Sequence, residues 1–340
     1  MAGTTNIHKT DVAVIGAGPV GLFAVFECGM LDMRCRVIDA LDAAGGQCAA
    51  LYPEKPIYDI PGYPRIGAIE LVERLKEQAA PFKPVFHLGR QVTGLERAAD
   101  GFALTTGAGE RIEARAVLIA AGVGAFGPNR PPLEGIEAYE GGAVRYLVTR
   151  REDFRGKRVV IAGGGDSAVD WALSLAEIAA KVTVVHRRDR FRAAPESARK
   201  LKELVDAGKI ELVTPYQLDA LEGDGRTLRA VIVKSLDGVA RRLDADFLLP
   251  FFGLAMTLGP IAAWGLNLER NRVAIDPATS ETSIPGVYAA GDIAEYKGKL
   301  KLILTGFAEA AQAAHAMFAR VHPGQALHFE YSTTKGVPGR

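Results

Sequence analysis

One pattern occurs twice in this chain and constrains its fold more than any other feature: an apolar strand, a glycine turn, a helix and a second strand. In the first copy Asp11–Ile15 runs into Gly16-Ala17-Gly18-Pro19-Val20-Gly21, an apolar helix follows from about Val20 to Leu31, and Arg34–Ile38 is the next strand. In the second copy, about 150 residues later, Arg158–Ala162 leads into Gly163-Gly164-Gly165-Asp166-Ser167-Ala168, a helix over Ser167–Ala179 and a strand over Lys181–Val185. A glycine fingerprint means little alone. Set between a strand and a helix, it is the context in which backbone approaches a pyrophosphate and a helix N-terminus favours its charge.

The two copies differ at the tip of the second strand, where a dinucleotide's ribose is read. The first has Asp39, a carboxylate that accepts hydrogen bonds from ribose hydroxyls. The second has His186-Arg187-Arg188, with Arg192 close behind. Guanidinium groups bind a ribose phosphate through charge-assisted hydrogen bonds that a carboxylate would oppose, so the second site is expected to prefer NADPH over NADH. Alanine at 168 replaces the third glycine and still allows close helix–strand packing.

Between the copies, residues 45–64 form a long loop dense in Gly, Pro and aromatics, and Ile69–Gln78 reads as a helix. Gln91–Leu95, Phe102–Thr105 and Val117–Ala120 read as strands, and Gly122–Pro132 as a linker. Near the end, Val287–Ala290 is a strand running into Gly291-Asp292, followed by an alanine-rich helix over about Phe307–Ala319. With 340 residues, 48% hydrophobic and 24% charged, the chain can bury two cores. A net charge of +1 draws it to neither nucleic acid nor membrane. No apolar stretch approaches the roughly 20 residues that span a bilayer. Met1–Thr10 does not read as a signal peptide. The three cysteines, Cys28, Cys35 and Cys48, have neither Cys-x-x-Cys nor metal-ligand spacing, and a sparse, odd count suits a reducing cytoplasm.

Together these motifs resemble the thioredoxin-reductase-like branch of the two-dinucleotide-domain flavoproteins. Ala289-Ala290-Gly291-Asp292 is similar to that family's second FAD motif, Ile119–Gly122 to its linker motif, and His186–Arg192 to its NADPH motif. The resemblance implies an α/β fold of two Rossmann-like three-layer dinucleotide-binding domains, with the NADPH domain inserted in the FAD domain. The implied boundaries are 1–123 and 254–340 for FAD and 124–253 for NADPH, with crossovers near Gly122–Gly127 and Phe252–Leu258.

One departure is decisive. Where thioredoxin reductases carry a Cys-x-x-Cys, this chain reads Gly142-Ala143-Val144-Arg145-Tyr146-Leu147-Val148-Thr149-Arg150. Without a dithiol there is no thiolate relay, so disulfide reduction by that route is excluded. The tail His328-Phe329-Glu330-Tyr331-Ser332-Thr333-Thr334 instead resembles that of the thioredoxin-reductase-like ferredoxin/flavodoxin–NADP reductases. In that subfamily a tail aromatic or His, often the partner subunit's, covers one flavin face, and Tyr331 matches it. A homodimer is implied by the same tail. Leu51-Tyr52-Pro53-Glu54-Lys55 resembles the segment that stacks a Tyr on the other face, which makes Tyr52 the candidate.

The resemblance further implies FAD contacts from Gly46 and Gln47, from Val92 through its backbone, and from Phe126, Asp292, Thr305 and Thr333. Hydride transfer from NADPH to FAD requires no protein acid, base or nucleophile. Acidic ferredoxins or flavodoxins are the implied one-electron partners. Candidate basic surfaces to receive them are Arg150-Arg151, Arg155-Lys157-Arg158 and Lys297-Lys299-Lys301. Rival readings are an NADPH diaphorase acting on quinones or free flavin, a non-enzymatic FAD/NADPH redox sensor and, more weakly, a monooxygenase.

Overall fold

The computed structural model describes residues 7–327 and 336–337, apart from the side chains of Ala125, Phe126, Pro128 and Leu254–Met256. Six α-helices form among these residues: α1 (Pro19–Met30), α2 (Gly46–Leu51), α3 (Ala68–Ala79), α4 (Asp166–Leu175), α5 (Pro195–Asp206) and α6 (Ile303–Val321). The chain divides into two compact units. Unit 1 is Met1–Ala125 with Met256–Arg340, and unit 2 is Phe126–Ala255.

Unit 1 is built on a seven-stranded sheet. Strands Val85–His87, Cys35–Ile38, Ile7–Ile15 and Arg111–Ile119 run parallel in that order. The last of these serves two partners. Its first half, around Ala114↔Phe102, continues into an antiparallel meander with Gly101–Thr106 and Val92–Ala98. Its second half pairs in parallel with Val287–Ala289, in register Val117↔Val287. The two ends of the chain thus meet in one sheet.

Alternation along the strands explains the three layers. Val12, Val14 and Leu118 pack with α1 and α6, in a core containing Ala24, Cys28, Ala313 and Met317. Ala13, Ile15 and Ile119 face the opposite core with Leu104 and Ile112 of the meander. Strands covered on both faces read as continuous apolar runs, which is why Asp11–Ile15 lacks a polar side after its first residue. Each fully buried Val or Leu stabilises such a layer by roughly 1.5–3 kcal/mol relative to exposure.

Unit 2 repeats the plan on a smaller scale. A parallel sheet runs Ile210–Val213, Lys181–Val185, Arg158–Ala162, Phe247–Pro250. Val159 and Ile161 face α4 and α5. Val160 and Ala162 face a core that includes Leu228, Val231 and Val233 of an antiparallel sheet formed by Tyr216–Gly223, Leu228–Ser235 and Ala240–Asp244.

The fold is therefore α/β with a parallel sheet in each unit. Several details differ from the sequence reading. The loop over 45–64 contains α2 and a short strand, Pro56–Ile57, paired with Ile66–Gly67. Helix α6 begins four residues earlier than expected, at Ile303. Helix α5, which starts with Pro195 in its first turn, was not read at all. The unit crossings fall at 125/126 and 255/256 rather than 123/124 and 253/254. Among the described residues no helix is long and apolar enough to cross a membrane.

Candidate functional site

In unit 1 the first glycine turn is closed by backbone contacts that exclude side chains. A Cβ on Gly21 would lie 1.9 Å from the carbonyl oxygen of Gly16, and one on Gly16, itself at φ +109°, would lie 2.3 Å from that of Ala120. Helix α1 then starts with Pro19 in its first turn and no side-chain cap on its N-terminus. Its first N–H groups are left to a ligand or to water. Gly46, at the start of α2, comes against Gly18: a Cβ on Gly46 would stand 3.0 Å from the Gly18 Cα. Gln47 reaches the Ile119–Gly122 segment, its Nε2 being 3.2 Å from where a Gly122 Cβ would lie.

Asp39 Oδ2 accepts the Ala17 N–H at 2.6 Å and Oδ1 accepts the Leu41 N–H at 2.8 Å. Each carboxylate oxygen keeps a second lone pair for a ligand hydroxyl. Burial raises the Asp39 carboxyl above its usual range, and the two N–H groups partly oppose that. The segment after His87 is tied to the same place: Asp39 N–H donates to the His87 carbonyl at 3.1 Å, and Arg90 N–H donates to the Asp39 carbonyl at 2.8 Å. Val92 follows, its side chain buried in the meander core.

The second motif converges on the same turn. A Cβ on Gly306 would meet Val20 Cγ2 at 2.4 Å and the Gly291 Cα at 3.1 Å. The starts of α1 and α6 and the Gly291–Ile293 turn are therefore packed together, with Thr305 in the first turn of α6. Tyr52 ends α2 and is half-buried; its hydroxyl accepts the Cys48 thiol at 3.6 Å. Burial raises the Tyr52 phenol far above its ordinary range, and Cys48 and Asp292 add to the shift, so the ring stays neutral. Tyr331 and Thr333 lie outside the described residues, as does the side chain of Phe126.

In unit 2 the second glycine turn opens on a cleft of about 690 Å³, lined among others by Gly163–Asp166, His186, Arg187, Arg192 and Tyr216. Ser167, Ala168 and Arg188 do not line it; Ala168 is buried against the strand. Gly165 flanks the start of α4 and offers it no side-chain cap, and a Cβ there would meet nothing within 4 Å. Gly164 is different: its Cβ would fall 2.3 Å from the His186 ring, which lies against the turn. The turn and the arginine segment are also tied directly. Arg192 N–H donates to the Gly164 carbonyl at 2.7 Å, and Ala194 N–H to Asp166 Oδ1 at 2.8 Å.

Burial lowers the His186 pKa below 6.5, and Arg187, Arg192 and Arg188 lower it further. Arg187, Arg188 and Arg192 have no carboxylate partner among the described residues. Several other exposed arginines of the unit are paired, such as Arg199 with Glu196 at 2.7 Å and Arg158 with Asp246 at 2.6 Å. Two uncompensated guanidiniums lining the cleft, Arg187 and Arg192, beside an uncapped helix start make a donor set that fits a phosphorylated ribose and a pyrophosphate. The glycine cradle of unit 1, with its carboxylate, fits an unphosphorylated one.

Two features escaped the sequence reading. Lys299 is not a surface lysine: its side chain is 2% exposed and ion-paired with Glu309, itself 3% exposed. The basic runs of unit 2 are largely neutralised as well, Arg155 by Glu152 and Arg151 by Glu177. A charge run reads as solvated unless its partner is known, and Glu309 is ten residues away on another element. Second, His8, His87 and Glu110 place potential ligand atoms within 4.8 Å of one another. However, Arg36 Nη1 stands 2.9 Å from His87 Nε2 and Arg90 pairs with Glu110 at 3.2 Å, so two guanidiniums oppose a cation there.

Comparison with known proteins gives concordant results. The profile of the family described as pyridine nucleotide-disulphide oxidoreductase matches residues 10–317. The chain is 65% identical over 332 residues to a ferredoxin–NADP reductase of Paramagnetospirillum magneticum, covering 97% of this chain and 98% of that one. It is 58% identical over 329 residues to one from Rickettsia akari, at 97% and 98% coverage. Among solved structures, the thioredoxin reductase of Lactococcus lactis superimposes with a TM-score of 0.78 at 26% identity, covering 92% and 99% of the two chains. That of T. acidophilum gives 0.79 at 24% identity, with 92% and 98% coverage.

Proposed function

The chain belongs to the pyridine nucleotide-disulphide oxidoreductase family, with relatives that are ferredoxin–NADP reductases, and on that premise we propose that it moves electrons between NADPH and a ferredoxin or flavodoxin through bound FAD. Bound FAD supplies the chemistry, taking a hydride as an electron pair and yielding electrons singly. The chain's residues bind, orient and shield.

Unit 1 is assigned to FAD. The Gly16–Gly21 turn and the α1 N-terminus hold the pyrophosphate, with Gly46 and Gln47 beside it, and Asp39 accepts the ribose hydroxyls. Val92 meets the adenine through its backbone. Asp292 would hold the ribitol–pyrophosphate region, Thr305 lies in the first turn of the helix that would point at the flavin, and Phe126 and Thr333 would lie near the cofactor. Tyr52, and Tyr331 by the resemblance of its tail, would cover the two flavin faces. Unit 2 is assigned to NADPH. Gly163, Gly165 and the α4 N-terminus take the pyrophosphate, with Asp166, Ser167 and Ala168 shaping that start. Arg187, Arg188 and Arg192 bind the ribose phosphate with His186 alongside.

The single observation that carries the reading is the contrast between the two strand tips: a carboxylate holding two backbone N–H groups in one unit, unpaired guanidiniums in the other. The absence of a Cys-x-x-Cys supports a one-electron carrier rather than a disulfide as acceptor. An acidic carrier, a homodimer completed by the tail, and a cytoplasmic location, consistent with three free buried cysteines, complete the proposal.

The test is NADPH-driven cytochrome c reduction by the purified yellow protein, with and without a ferredoxin, and with NADH in parallel. Strong ferredoxin dependence with NADPH preferred is expected. Activity on quinones or free flavin with no ferredoxin effect would move the function to a diaphorase. Failure of NADPH to reduce the flavin would move it to a redox sensor.

A further inference from the structure

The Gly291–Asp292 turn is held by two ion pairs, one almost wholly removed from water (Lys299–Glu309) and one largely buried (Arg272–Glu295). Glu309, on α6, accepts the Gly291 N–H through Oε2 at 2.8 Å, while its Oε1 accepts the Tyr296 hydroxyl at 2.8 Å and the Lys299 ammonium. Arg272, on the strand that runs parallel to Ala294–Glu295, donates from Nε to the Asp292 carbonyl at 2.9 Å and pairs with Glu295 at 3.3 Å. Just upstream, the Ala290 N–H is fixed to the Ile119 carbonyl at 3.0 Å. Three consecutive residues of the turn are therefore pinned through their backbone. Asp292 itself is the exception: its carboxylate makes no hydrogen bond and no ion pair among the described residues.

Stability alone does not account for this arrangement. Replacing a buried ion pair by apolar side chains of similar volume is often neutral or stabilising, because desolvation offsets the Coulombic gain. Two such pairs around one turn, each ending on a backbone atom of that turn, act on position.

We propose that Glu309, held by Lys299, and Arg272, held by Glu295, are positioning residues for Asp292: they lock its backbone so that its carboxylate is presented to the ribitol–pyrophosphate part of FAD. The inference rests on the assignment of Asp292 to FAD. Lys299 then belongs to the cofactor site's scaffold and not to a docking surface. Because Glu309 lies on α6, the same bond ties the turn to the helix that begins at the flavin.

The test compares FAD rebinding by wild type and three full-length double variants, each of which removes both charges of a pair so that none is left buried and alone. E309L/K299M removes the acceptor for Gly291 N–H. E309Q/K299M keeps an amide oxygen for it. R272M/E295M releases the Asp292 carbonyl. The cofactor is stripped and titrated back, and FAD affinity, the visible circular dichroism of the bound flavin and the apoprotein melting temperature are recorded. E309L/K299M and R272M/E295M are expected to bind FAD at least about tenfold more weakly with an altered flavin band, while the apoproteins melt within about 5 °C of wild type. E309Q/K299M is expected to bind within about threefold of wild type.

Equal affinity and identical flavin bands in all four proteins overturn the proposal, as does an equal loss in E309Q/K299M and E309L/K299M. Should E309L/K299M fail to fold, R272M/E295M decides: weakened FAD binding supports the proposal and wild-type binding overturns it. A wild-type protein that binds no FAD overturns the assignment of Asp292, a separate and distinguishable failure.

Discussion

The carboxylate of Asp39 lies 2.6 Å from the backbone nitrogen of Ala17, so the residue at the tip of the second strand holds the glycine turn that follows the first. In the proposed FAD site this one side chain would set the phosphate cradle and face the ribose at once. Asp39→Ala leaves the Ala17 and Leu41 N–H groups without acceptors and removes the ribose contact. Unsatisfied buried groups cost about 1–3 kcal/mol each. FAD affinity, followed by flavin fluorescence on titration, is expected to fall at least about tenfold. Wild-type affinity would remove Asp39 from the site.

Gly165→Ala separates stability from binding. The added methyl meets nothing within 4 Å and the backbone at this position is extended, so the folded protein should tolerate it. It does occupy the approach to the α4 N-terminus. The melting temperature is expected to stay within a few degrees, while KM for NADPH rises about tenfold or more. An unchanged KM would show that the pyrophosphate lies elsewhere. Gly21→Ala, by contrast, drives a methyl to 1.9 Å from a backbone oxygen that cannot move aside, and the protein should lose flavin and stability together.

Coenzyme preference should follow the unpaired arginines. Replacing Arg187, Arg188 and Arg192 by neutral residues is expected to lower kcat/KM for NADPH by about 100-fold or more, with little change for NADH, since charge-assisted bonds contribute roughly 1.5–3 kcal/mol each. Equal losses with both coenzymes would point to a general structural role for the segment.

His186 should link NADPH binding to pH. In the free protein burial and the arginines hold its pKa below 6.5, so the neutral form dominates at neutral pH. A bound phosphate adds negative charge and raises the pKa in the complex. Binding then takes up a proton, and NADPH affinity should increase as pH falls through the interval between the two values. His186→Gln should flatten that slope in calorimetric titrations. For folding the sign is opposite: a depressed histidine pKa contributes stability present above about 6.5 that is lost as pH falls through the folded value.

Ferredoxin docking should depend on Lys297 and Lys301, which are exposed, and not on Lys299. K297E/K301E should raise KM for ferredoxin at low ionic strength and converge on wild type at high salt, with ferricyanide reduction by NADPH unchanged. No difference at low salt would place the docking surface elsewhere.

The legible part of this protein was local. Asp11–Ile15, the two glycine turns, Asp39 and the arginine segment could be read because a strand tip, a turn and a helix start are fixed within about 30 residues, where backbone sterics and one or two side chains decide the conformation. Helix α5 was missed although Pro195 at its start and Leu201, Leu204 and Val205 at helical spacing mark an amphipathic helix whose apolar face packs on the sheet. Lys299 was misread because its partner sits on another element and a lysine's solvation depends on what packs over it.

The sequence by itself determined the two dinucleotide turns, the opposite charge at the two strand tips and the lack of a dithiol, since these follow from residue type and near spacing. Only the tertiary structure decided that Gly306, Val20 and Gly291 meet, that Asp292 is pinned from Glu309 and Arg272 while its carboxylate stays free, and that Lys299 is buried. Contacts of that kind join segments far apart in the chain. They exist only once the strands at both ends of the sequence have paired in one sheet, and no local pattern encodes them.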